Sequence, residues 1–316
     1  MAHAFIFPGQ GSQSVGMGKA LADAFPAARA IFQEVDDVLS QKLSAIMWDG
    51  PAEDLTLTSN TQPALMACSV AAMAALKEEF DVDVTSAKFV AGHSLGEYSA
   101  LCAAGALSLA DTARLLRLRG DAMQRAVPVG AGAMCALLGA SIEDAEAAAS
   151  AGQKHGICQI ANDNATGQIV LSGEVAAVEA AAQSARDAGV KKAVILPVSA
   201  PFHCDMMAPA ADAMRDALMD TTILAPRVPL VNNVTAQPTS DAEQIMHDLV
   251  AQVTGRVRWR ESIEWMAGEG EGQVERFAEP GCGKVLTQML KRIVKGVSGE
   301  ALNSPESLEA FANSLK

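Results

Sequence analysis

Residues 87–107, "AKFVAGHSLGEYSALCAAGAL", decide the fold. An apolar run ends at Gly92, Ser94 and Gly96 follow at every second position, and an alanine-rich stretch able to wind into a helix leaves them. G-x-S-x-G between a strand and a helix is the nucleophile-elbow pattern, in which glycines make room for a sharp turn and the serine hydroxyl is exposed by it. The departing helix aims its N-terminus back at the serine, so the backbone N–H of Leu95 can meet a developing oxyanion.

The neighbouring sequence extends this unit into an α/β protein. "HAFIF" (3–7) reads as a strand, "PGQGSQ" (8–13) as a turn, and 18–39 as a helix. A second helix is expected over 61–80, capped by Ser59 and Asn60. A third, over 109–127, puts Leu115, Leu116, Arg119 and Met123 on one face that is apolar except for the arginine. A guanidinium buried there is costly unless a carboxylate meets it, either a ligand's or one of the protein's own.

From Ala133 the pattern changes to β-α-β-β-α-β, with strands at 133–140, 158–164, 167–173 and 192–199 and helices at 141–152 and 174–189. This is the order of a ferredoxin-like unit. The expected organisation is therefore one α/β domain, residues 1–127 and 200–316, interrupted by a ferredoxin-like subdomain at 128–199. The second half of the main domain reads as a helix from about Cys204, a strand at 228–234, helices at 241–253 and 259–267, a strand at 274–280 and a last helix at 284–294.

Composition agrees and narrows the function. The chain has 316 residues, half of them hydrophobic and only 4% aromatic, which suits helices packed on a sheet. Its net charge of -13 argues against nucleic-acid binding, which needs a basic surface to displace counterions. Six scattered cysteines show neither a CxxC pair nor zinc-ligand spacing, so no disulfide framework and no metal are expected. The N-terminus lacks a basic segment before an apolar core, and no window is apolar enough to span a membrane. A cytoplasmic protein is expected.

A serine nucleophile needs a base, and histidine has the pKa for the task. His3 lies in the first strand, His155 in the inserted unit, and His93 beside Ser94 where neighbouring side chains diverge; His247, between Met246 and Asp248, reads as solvated. That leaves His203, in "SAPFHCDM", where Pro201 opens a loop after the insertion. Two glycine-rich stretches fail as nucleotide sites. "GQGSQS" ends in serine where G-x-G-x-x-G needs glycine, and "AEPGCGKV" has Ala278 and Val285 where a phosphate loop needs glycine and a hydroxyl. "FPGQGSQ" can instead aim the Gln10 N–H at the oxyanion, or be an ordinary turn.

"FPGQGSQ", "GHSLGEYSAL", "RGDAMQ", "GAMCALLG", "PFHCDMM" and "EPGCGKVLTQMLKRI", in this order over some 290 residues, resemble the malonyl-CoA:acyl carrier protein transacylase family of bacterial fatty-acid synthesis. The resemblance implies an α/β-hydrolase-like core with the ferredoxin-like subdomain inserted. It implies Ser94 as the acyl-accepting nucleophile, His203 as general base, Gln10 and Leu95 as backbone oxyanion donors, and Arg119 as the holder of the malonyl carboxylate. Gln252 resembles the glutamine whose backbone carbonyl orients the histidine, and Phe202 should disfavour an α-methyl group. The implied partners are malonyl-CoA and an acyl carrier protein, with no metal or redox cofactor. Because carrier proteins are acidic, a basic patch is expected at Arg256, Arg258 and Arg260, at Lys284, Lys291, Arg292 and Lys295, or at Lys191 and Lys192. Two rival readings share the elbow: a serine esterase or thioesterase, and a catalytically silent subunit of a synthase.

Overall fold

The computed structural model describes residues 2–198, 200–268 and 272–316. Ten strands form two sheets: β1 (His3–Phe7), β2 (Phe89–Gly92), β3 (Gly132–Leu138), β4 (Cys158–Ala165), β5 (Gln168–Glu174), β6 (Lys192–Ile195), β7 (Leu230–Val231), β8 (Pro238–Thr239), β9 (Arg276–Pro280) and β10 (Ser298–Leu302). The larger sheet runs β10-β9-β1-β2-β7-β8, parallel throughout except for the β7–β8 pair at one edge.

Side-chain alternation makes the larger sheet a middle layer. Phe5, Phe7 and Val90 face one cluster with the helices Thr58–Phe80 and Leu109–Ala126, while Ala4, Ile6, Phe89 and Ala91 face another with Trp259–Ala267 and Val285–Ile293. Both faces of β1 and β2 are thus covered, as a parallel sheet with crossover helices requires. Thr58–Phe80 is buried over most of its length because it lies inside the larger cluster rather than across its surface.

The second sheet, order β4-β5-β3-β6, is antiparallel and carries the helices Ile142–Gly152 and Val175–Asp187 on one face. Their alanines let them lie close against Cys135, Leu137, Ile169 and Leu171. The alternate residues Met134 and Val170 point the other way, into the main cluster and toward the serine. One face of this unit is therefore its own core, and the other is a wall of the larger one. The β4 backbone is tied to the main body where Val257 accepts from Asp163 N–H (2.9 Å) and donates to Ala161 O (2.8 Å).

Several expectations are corrected. The helix over 18–39 is two, Lys19–Ala24 and Pro26–Leu39, because Phe25 precedes proline and takes an extended conformation (φ -124, ψ 117). The helix expected from 61 starts at Thr58, and neither Ser59 nor Asn60 caps it. Asn60 instead donates to Asp54 O (2.8 Å) and accepts from Arg117 (2.9 Å). The helix at Val285–Ile293 is not the last: β10 adds an edge strand beside β9, and Pro305–Ser314 follows behind a Ser304/Ser307 capping box. The strand over 228–234 shrinks to Leu230–Val231, since Asn232 turns its side chain onto Val234 N–H and Thr235 N–H to make a turn and Asn233 turns its own to the site. Ser199, where the insertion is expected to end, lies outside the described residues. No helix among the described residues is long and apolar enough to cross a membrane.

Candidate active site

Ser94 sits immediately past the carboxyl end of β2, in the left-handed region at φ 53, a conformation a non-glycine residue holds only when its surroundings enforce it. The enforcement is steric and polar. A Cβ on Gly92 would land on the Gly96 carbonyl, and one on Gly96 would land on the Phe7 carbonyl, so only glycines let the helix Gly96–Ala103 start this close to β1 and β2. Asn233 then pins the turn, accepting from Ser94 N–H (2.8 Å) and donating to Gly92 O (2.7 Å).

The serine hydroxyl faces His203, with Oγ 2.8 Å from Nε2. The other ring nitrogen, Nδ1, is 2.8 Å from the backbone oxygen of Gln252. A carbonyl can only accept, so Nδ1 carries the proton and Nε2 presents its lone pair to Ser94. Burial, and secondarily the Arg119 cation, push the His203 pKa down to about 3. The imidazole is therefore neutral at physiological pH and ready to take a proton. His203 is also left-handed, at φ 58, which turns its ring back toward the serine from the loop after Pro201.

Arg119 is 1% exposed and reaches the same point from the helix Leu109–Ala126. Gly120 permits this approach, since a Cβ there would meet Ser59 Cα and Thr58 O at 2.7 Å. The guanidinium donates to Gln62 Oε1 (2.8 Å), Gln252 Oε1 (2.9 Å) and Ser94 Oγ (3.1 Å), while its Nε–H has no acceptor among the described residues. All three acceptors are neutral. The internal salt bridge left open by the sequence is not formed with any described carboxylate. The nearby Glu97 carboxyl makes no ion pair with Arg119, and burial pushes its pKa up to about 8, which favours its neutral form. The site holds a buried cation in want of an anion.

These groups open onto a cleft of about 340 Å³ whose walls include Gln10, Leu95, Met123, Met134, Val170 and Phe202. The N–H groups of Gln10 and Leu95 have no acceptor among the described residues and remain free for a ligand oxygen. His93 turns away from Ser94 to Asn164 (Nε2 to Oδ1 2.8 Å) and packs edge-on against Trp259. His3 is buried beside Phe311, and exposed His247 lies 3.9 Å from Glu243, so neither reaches the site. Among the described residues no group of three or more His, Cys, Asp or Glu side chains could hold a metal ion.

Sequence reading missed Gln62, Glu97, Asn164 and Asn233, which hold the site together. Glu97, in the elbow motif itself, and Asn233, at the end of an apolar run, were the visible signals: a polar side chain at the carboxyl end of a parallel strand tends to face the crevice there.

A left-handed serine at a strand-to-helix turn, a neutral histidine at hydrogen-bond distance and two free backbone N–H groups define an enzyme class that passes an acyl group through a serine ester. The chain belongs to the acyl transferase domain family, whose family model matches residues 4–298. It is 43% identical over 314 residues to the malonyl CoA-acyl carrier protein transacylase of Bacillus subtilis (strain 168), covering 99% of this chain and 97% of that protein. The crystal structure of acyl-carrier-protein-S-malonyltransferase from Bartonella henselae superposes with a TM-score of 0.96 at 55% identity, covering 100% of this chain and 99% of that one. A malonyl-transacylase solved in complex with a type II polyketide synthase acyl-carrier protein is similar at a TM-score of 0.95 and 41% identity, covering 99% and 100%.

Proposed function

We propose that this enzyme transfers the malonyl group from malonyl-CoA to the phosphopantetheine thiol of an acyl carrier protein, through a malonyl ester on Ser94. His203 Nε2 takes the Ser94 proton as Oγ bonds to the thioester carbonyl carbon, and the oxyanion is met by the N–H groups of Gln10 and Leu95. The C–S bond then breaks, and the His203 imidazolium returns the proton to the departing coenzyme A thiolate. In the second half, the carrier thiol gives its proton to His203 and attacks the ester, and Ser94 recovers its hydrogen. Side chains and backbone supply every group these steps use, so the reading invokes no cofactor.

The observation that carries this reading is Arg119, a buried guanidinium whose partners in the site are all neutral. A substrate ending in a carboxylate completes it, which is why malonyl is preferred here to acetyl. Phe202, which lines the cleft beside His203, leaves little room for an α-methyl group. Gln252 takes the place of a triad acid through its backbone oxygen.

The domain reading follows the same line. We take residues 1–127 and 200–316 as an α/β-hydrolase-like catalytic domain, supported by its parallel sheet and elbow, and 128–199 as a ferredoxin-like subdomain, supported by its order β4-β5-β3-β6. Six free cysteines suit a reducing compartment, and the cytoplasm is the location proposed.

The test is intact mass and peptide mapping after mixing the enzyme with malonyl-CoA. A malonyl adduct confined to the Ser94 peptide and removed by holo carrier protein is expected. Rapid release of malonate without an acceptor would point to a hydrolase, and no adduct at all to a silent subunit.

A further inference from the structure

Beneath the elbow lies a carboxyl group that the proposed reaction does not use. Glu97, in the first turn of Gly96–Ala103, is 0% exposed. Its Oε2 accepts from Gln252 Nε2 (2.6 Å) and from the backbone N–H of Asn233 (3.2 Å), and its Oε1 has no partner among the described residues. Gln252, on the helix Ala242–Thr254, is the hub of the site. Its Nε2 also donates to Ser94 O (3.0 Å), its Oε1 accepts from Arg119 (2.9 Å), and its backbone oxygen accepts from His203.

A primary amide has two faces of opposite polarity, and turning it over exchanges an acceptor for a donor. With Oε1 toward Arg119, Gln252 stabilises the guanidinium; turned over, it would press an NH2 group against a buried cation. Something must select the first orientation. Three acceptors on the far side reward Nε2 and would leave a turned-over Oε1 facing oxygens: Ser94 O (3.0 Å), Asn233 Oδ1 (3.3 Å) and, at the shortest distance, Glu97 Oε2 (2.6 Å).

We infer that Glu97 is a positioning residue that fixes the Gln252 amide, and through it seats the Arg119 guanidinium where a substrate carboxylate can reach it. The inference rests on the reading of Arg119 as the malonyl anchor. It explains why a carboxyl group is buried one turn beyond the nucleophile, on the side away from the cleft. It also separates two roles of one glutamine: the backbone oxygen orients the base, while the side chain, under the control of Glu97, orients the arginine. Burial raises the Glu97 pKa, which favours a neutral acid accepting through Oε2 over a competing anion beside Arg119.

The test uses the ratio of malonyl to acetyl transfer (kcat/KM for each), which the unfolded fraction of a preparation cannot alter. Glu97→Met keeps the length and burial but removes the acceptor. It should lower the ratio about tenfold, chiefly by raising KM for malonyl-CoA, which corresponds to one buried donor left unsatisfied. Glu97→Gln, an isostere of the neutral acid, should restore the ratio. If Glu97→Met does not fold, Glu97→Asp decides by the same criterion, because its carboxyl is withdrawn by one methylene. A wild-type ratio in Glu97→Met or Glu97→Asp, with a lowered ratio in Arg119→Ala, overturns the inference and leaves the anchor reading standing. A Glu97→Gln ratio as low as that of Glu97→Met overturns it as well. An unchanged ratio in Arg119→Ala overturns both.

Discussion

At the scale of single residues, two groups set the chemistry through opposite electrostatic situations. Arg119 keeps a positive charge at a buried position, and a hydrogen bond to a charged group is worth about 1.5 to 3 kcal/mol. Arg119→Ala should therefore cost malonyl transfer at least about tenfold while sparing acetyl transfer, as steady-state kinetics on the two thioesters will show. Equal losses for both would make the arginine structural. His203 is the converse case, kept neutral by burial with its pKa near 3. The single-turnover acylation rate should stay flat as pH falls through 6.5, where an ordinary imidazole would lose half its base form; a half-maximal point near 6.5 contradicts this. The same shift acts on stability. Between 6.5 and about 3 the unfolded chain binds a proton at this position that the folded chain refuses. Stability falls as pH drops through that window and is untouched above it. His3 and His93, also buried and lowered, act in the same sense. His203→Gln should thus slow transfer by about 10² to 10⁴ and lose less thermal stability than wild type between pH 7 and about pH 5.

At the scale of elements, the site depends on how closely a strand, a turn and a helix can approach one another. Gly92→Ala would drive a Cβ into the Gly96 carbonyl and push the helix Gly96–Ala103 off β2. Even the fraction that folds should form no malonyl adduct at Ser94, and a normal adduct yield by mass spectrometry would show that the turn can give way. This part of the molecule was legible in advance because its cause is local: G-x-S-x-G demands the turn wherever it occurs, and one apolar face with one arginine demands a buried cation. What stayed illegible is set by contacts between elements distant in the chain. Nothing around Gln62 or Asn164 announces that Arg119 and His93 will meet them, and Asn233 reads as the tail of a strand until its side chain is seen gripping the turn. β10 escaped notice because "SGEAL" is too polar to signal a strand, and only its pairing with β9 at the sheet edge makes it one.

At the scale of the whole molecule, the question is how a chain of net charge -13 receives an acidic carrier protein. Long-range repulsion favours separation, so docking needs a local positive field. Of the three basic stretches in the sequence, one drops out. Arg256 and Arg258 pair with Glu261 (3.5 and 2.6 Å), and Arg260 pairs with Glu264 (2.7 Å) and with Asp163 of β4 (2.8 Å), so this stretch spends its charge on carboxylates of the protein itself. The other two stretches, far apart in sequence, lie side by side. Lys192 pairs with Leu138 across β6 and β3, Leu138 pairs in turn with Gln168 of β5, and Gln168 accepts from Arg292 (3.0 Å). Lys191, Lys192, Lys291 and Arg292 are all exposed, and none is paired with a carboxylate among the described residues. They make one basic end where the insertion meets the helix Val285–Ile293, and we take this end as the carrier-protein surface. Lys191→Glu/Lys192→Glu should raise KM for carrier protein several-fold while leaving KM for malonyl-CoA near wild type. The gap between variant and wild type should narrow as salt rises past about 0.1 M, where the screening length falls to about 10 Å. Lys291→Glu/Arg292→Glu should do the same, and combining all four should give less than the sum of the two effects if both pairs serve one surface. Carrier kinetics indifferent to both pairs at low ionic strength would place the docking surface elsewhere on the molecule.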